Sequence, residues 1–171
     1  MIKINLKKLS LYSHALMILT SIHHIYGAII YQTTWRFHTL FISVPAIIFI
    51  ALLSPFLLNR PSLKRSLLFW IYCLIIVLVS IGLIGCYEGI YNHLVKDLLF
   101  YSGVDRAILL QLFPPPTYEM PNDFFFEFTG VLQAILAVIL IIYFIRLMKS
   151  VIITADIQHP NKNRESNSVS L

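Results

Sequence analysis

The chain has 171 residues, 58% of them hydrophobic and only 12% charged. A soluble domain carries about 25% charged residues, so the composition excludes an ordinary soluble globule and points to an integral membrane protein. The net charge of +5 would suit nucleic acid, but the basic residues lie where a membrane topology would put them, and no nucleic-acid partner is read.

A membrane-crossing helix needs about 20 mostly apolar residues. The first such stretch is about residues 10–31, preceded by Lys3, Lys7 and Lys8. Its start resembles a signal peptide. The apolar run is long, however, it holds histidines, and no small-residue cleavage site follows, so it reads as a retained anchor. Within it His23 and His24 are adjacent, about 100° apart around a helix, with Tyr26 and Tyr31 further on and Gly27 leaving room beside them. His14 stands alone nearer the start.

The second stretch, about 37–58, opens on His38 just after Trp35 and Arg36. Pro45 and Pro55 are expected to kink it or fray its end. Arg60, Lys64 and Arg65 follow. The third, about 66–93, holds both cysteines, Cys73 and Cys86, without the spacing of a disulfide framework or zinc knuckle. Gly85 and Gly89 form a GxxxG pattern that favours close helix approach. The stretch ends in Glu88, Asn92 and His93. Glu88 and His93 are five apart and converge only if the helix unwinds near Gly89; otherwise Glu88 and Asn92 share the face.

Residues 94–113 are too interrupted to span. They read as two short helices in the interface, broken at Ser102-Gly103, and "PPPTYEMPND" reads as a stiff extended return. Such a segment is either a plain connector or a cap over neighbouring polar groups that binds a lipid-like or small-molecule ligand. The fourth stretch, about 124–148, brings Asp123 and Glu127, which share a face. Asp123 also suits a helix N-cap, and Glu127 suits a first helical turn. Residues 151–171 read as a disordered cytoplasmic tail with a solvated His159.

The expected fold is therefore all-α: a four-helix transmembrane domain over residues 1–150, with an interfacial helical segment between the third and fourth spans. Ten of the thirteen Lys and Arg fall on one side if both termini share it, leaving Arg36, Lys96 and Arg106 opposite. Basic residues favour the cytoplasmic side, which sets both termini there.

With that topology every span contributes polar groups at the outer end: His23, His24, His38, Glu88, His93, Asp123 and Glu127. Ionisable groups at membrane depth are costly unless paired, and normally face the bundle interior. Imidazole with carboxylate suits a transition metal, and a bis-histidine haem is an alternative use of the same histidines. No HExxH, P-loop, GxSxG or desaturase histidine box occurs, and the Glu-x-x-His spacing of di-iron bundles is missing. Three functions stay open: a metal- or haem-binding redox-type membrane protein, a proton-coupled carrier (which with four spans would need a homo-oligomer), and a scaffold subunit in which the cluster is structural glue.

Overall fold

Lipid offers no partner to a backbone N–H or C=O, so an apolar chain of this kind must satisfy its backbone internally, and a helix does so within one segment. The computed structural model describes residues 1–60, 63 and 66–158, with side chains described up to 153. It is all-helical, with no strand among the described residues. Four helices are long and apolar enough to cross a membrane. Helix α1 is Ile2–Ile30. A 3-10 segment, Thr34–Thr39, leads into α2, Leu40–Leu58, which continues through both Pro45 and Pro55. Helix α3 is Leu67–Tyr101, α4 is Arg106–Leu112, and α5 is Phe124–Gln158.

Two boundaries differ from expectation. The third helix does not end near 93 but continues to Tyr101, so the first of the two expected interfacial helices is the last part of α3. The break does fall at Ser102-Gly103, where Gly103 takes φ +79°. Helix α5 continues past 148 to Gln158; the rest of the expected tail, His159 included, lies outside the described residues.

Most of α3 is wound more widely than an α-helix. Ile76–Val95 is π-helical, with each N–H reaching the carbonyl five residues back, a geometry found mostly as single turns near functional sites. Burial follows that winding. Ile76, Ser80, Ile84, Glu88 and His93 form the inward stripe, four or five residues apart. An α-helix would turn Leu83 and Tyr87 to the same face as Ile76 and Ser80, yet these are 39% and 46% exposed.

Helix α1 packs against α2 and α5, and α5 packs along the π-wound part of α3. Helix α2 touches Leu67–Ile75, the start of α3, and hardly meets Ile76–Val95. The bundle is thus closed near the chain termini and splayed between α2 and α3 at the other end. The apolar core, including Leu9, Leu16, Ile50, Phe69, Ile76 and Leu140, fills the closed part. Short polar pairs tie helices across it: Ser13–Ser80 at 2.6 Å, Ser54–Ser10 at 2.8 Å and Asn5–Ser150 at 3.1 Å. Large apolar side chains such as Ile4, Leu11, Phe41, Leu52 and Ile135 face outward, far beyond what a soluble monomer exposes.

Candidate metal centre

Gly89 and Gly130 bring α3 and α5 together at the splayed end. A Cβ on Gly89 would stand 2.7 Å from the backbone nitrogen of Ala134, and a Cβ on Gly130 would overlap the His93 imidazole. Gly85 likewise lies against Ala137, so the GxxxG pattern faces α5. The π winding then sets Glu88 and His93 on one face. In an α-helix, residues five apart diverge by about 140°; here Glu88 Oε1 and His93 Nε2 are 3.5 Å apart. Helix α1 completes the group. His23 Nε2 lies 3.9 Å and His24 Nε2 3.2 Å from the same Glu88 oxygen.

His23, Glu88 and His93 are all buried, and one donor atom from each lies within 4.8 Å of the others. The hydrogen bonds around them favour one tautomer of each ring. Thr129 Oγ1 lies 2.8 and 3.0 Å from the carbonyls of Phe125 and Phe126 and 2.9 Å from His23 Nδ1; with its one proton on a carbonyl it accepts from Nδ1. In that arrangement His23 Nδ1 carries its proton and Nε2 presents a lone pair. His93 Nδ1 lies 2.9 Å from Glu127 Oε2; a carboxylate accepts, so His93 also protonates at Nδ1. Among the described residues neither His23 Nε2 nor His93 Nε2 has a hydrogen-bond partner, although both are buried. Two buried imidazole nitrogens thus face one carboxylate oxygen, whose sister oxygen is held by Asn92 Nδ2 at 3.0 Å.

Outer groups brace this arrangement. Lys96 Nζ lies 3.2 and 3.3 Å from the two oxygens of Glu127 and donates to the Glu119 carbonyl at 2.8 Å. Phe126 stacks on His23 at a ring separation of 4.1 Å. Residues 113–123 fold over this end: besides the Glu119 carbonyl they supply Tyr118, whose hydroxyl pairs with Tyr87 at 2.7 Å, and Asn122, which accepts from Tyr31 at 2.6 Å. Burial and the neighbouring Tyr87 hydroxyl push the Tyr118 phenol above its ordinary pKa, so it stays protonated.

Of the seven residues singled out by sequence, His23, His24, Glu88 and His93 come together. Glu127 stands behind His93 rather than beside the other donor atoms. Asp123 caps α5, accepting from Phe126 N at 2.8 Å, and also accepts from Tyr26 at 3.2 Å. His38 lies outside the group, stacked on Trp35 and bonded through Nδ1 to the Trp35 carbonyl. Sequence reading missed Thr129 and did not single out Lys96 and Arg36, which are 1% and 4% exposed. The spacing of Lys96, three residues after His93, was the available signal, since such residues share a helix face.

A cavity of about 130 Å³ adjoins Glu88 and His24 in the gap between α2 and α3. Against known proteins, the chain matches no family model, no curated protein and no solved structure, so its function is argued from this geometry.

Proposed function

We propose that this is a membrane-embedded metal protein in which His23 Nε2, His93 Nε2 and the Glu88 carboxylate hold one divalent transition-metal ion, with His24 beside them. The single observation that carries the reading is the pair of buried imidazole nitrogens, each made a lone-pair donor by its bonded Nδ1 and each facing the same carboxylate. A polar network serving only as glue would satisfy its own buried atoms; these are satisfied by an ion. A ligating histidine typically gives its other N–H to a carboxylate or another acceptor, which fixes the ring and raises its basicity. Glu127 and Thr129 do this here.

Two histidines and one carboxylate with an open position is the donor set of non-haem iron(II) centres and of catalytic zinc sites. With iron the centre is of redox type; with zinc it is a Lewis acid. Haem is disfavoured by crowding. The His23 and His93 rings are edge to face with centroids 4.6 Å apart and Glu88 beside both, which leaves no slot for a macrocycle. The expected topology is part of the proposal: the helices cross the bilayer with both termini cytoplasmic. Burial of Arg36 and Lys96 supports it, because it leaves Arg106 as the one basic residue outside the site on the opposite side.

Elemental analysis of detergent-purified protein tests the reading. We expect about one iron or zinc ion per chain, lost in His93→Gln and Glu88→Gln. Wild-type protein that holds no stoichiometric metal after loading with either ion refutes it.

A further inference from the structure

The cavity beside the centre opens between α2 and α3, where the two helices splay. Its lining includes the buried His24, Glu88 and Arg36, the exposed His38, and the apolar Ile42, Leu83 and Ile84. Leu83 is 39% exposed on the apolar flank of α3. The cavity thus combines buried polar groups of the donor cluster with apolar side chains, of which Leu83 reaches the outer surface.

Arg36 is the fixed charge of the polar end. Its Nε donates to Thr33 Oγ1 at 2.7 Å, and its guanidinium stands over the rings of Trp35, Tyr31 and Phe126 at 5.0 to 5.3 Å. Nη2 forms an ion pair with the Glu119 carboxylate at 3.7 Å, longer than a hydrogen bond. Buried Nη2 has no acceptor among the described residues. A preorganised guanidinium with an open donor is suited to an incoming carboxylate.

We infer that the cleft admits a long-chain carboxylate laterally from the bilayer, its head on Arg36 beside the donor cluster and its chain leaving past Ile42 and Leu83. A volume of about 130 Å³ takes a carboxylate and a few methylenes, so the rest of the chain stays in lipid. The inference deepens the metal reading in one respect, that the head is delivered next to the ion, and can be tested apart from it.

The chain has two tryptophans. Trp35 lines the cleft, while Trp70 lies near the opposite end of α3. In Trp70→Phe protein, Trp35 is the only indole. Stearate brominated near its carboxyl end should quench Trp35 saturably, and its methyl ester should bind at least tenfold more weakly. Ile42→Phe with Leu83→Phe should abolish saturable quenching while bound metal stays unchanged. His93→Gln should do the reverse, losing metal and keeping the quench. Equal binding of acid and ester overturns the proposed head recognition, and this comparison needs no variant of Arg36. Quenching that survives the filled cleft overturns the lateral path. Saturable quenching in a protein that holds no metal leaves the cleft standing and removes the metal reading alone.

Discussion

Glu127→Gln separates the two tasks of that side chain, and its effects follow from the geometry. The substitution keeps shape but removes charge. Lys96, 1% exposed, then keeps the Glu119 carbonyl and Asp97, whose carboxylate is 4.0 Å away. Removing one partner of a buried pair costs about 3–5 kcal/mol, so the single variant should be markedly destabilised. Lys96→Met removes the stranded charge, and the double variant should recover most of that loss. Metal affinity should not recover. The carboxylamide can turn its N–H₂ toward His93 Nδ1, which moves the imidazole proton to Nε2, where the ion binds. Loss of an outer carboxylate partner lowers metal affinity about 10- to 100-fold, or roughly 1.4–2.7 kcal/mol. Thermal unfolding in detergent measures the first effect, and competition against a chelator of known affinity measures the second. Wild-type metal affinity in the double variant would refute the assignment of His93 as a ligand oriented by Glu127.

Thr129→Val keeps the branched shape but removes the acceptor for His23 Nδ1; metal affinity should fall about tenfold and Thr129→Ser should restore it, as chelator competition would show. Gly130→Ala puts a methyl on the His93 ring; overpacking of this kind costs about 1–3 kcal/mol, and bound metal measured by elemental analysis should be lost with it. Reporter fusions at Arg60 and Thr117 should lie on opposite sides of the membrane, and equal signals from both would refute the proposed topology.

The four long helices were legible in the sequence because about 20 apolar residues in a row leave few alternatives. The histidines and Glu88 were legible as a group because each sits where an ionisable residue is costly. Their mutual geometry was not. An α-helical reading turns Glu88 and His93 apart, and only the wider winding of Ile76–Val95 restores the pair. The end of α3 was misplaced for a related reason. His93, Lys96 and Asp97 resemble the polar margin of a span, but their partners lie on α5 and in the 113–123 segment, and composition does not register a partner 31 residues away. Asp123 could be read as a cap because capping is local. Thr129 could not be read at all, since its role depends on a ring 106 residues earlier.

That separation has a meaning in time. Chains are synthesised at about 5–20 residues per second, so some 5–20 s pass between the appearance of His23 and that of Thr129, 106 residues later. During that interval the first helix exists without the last, its principal neighbour. Lys96 waits through another 31 residues for Glu127, and a lone ammonium is costly to bury. The last turns of α3 therefore settle into place only when α5 arrives. A ribosome that stops before residue 127 leaves a product with three apolar helices and a Lys96 ammonium without its carboxylate partner on α5.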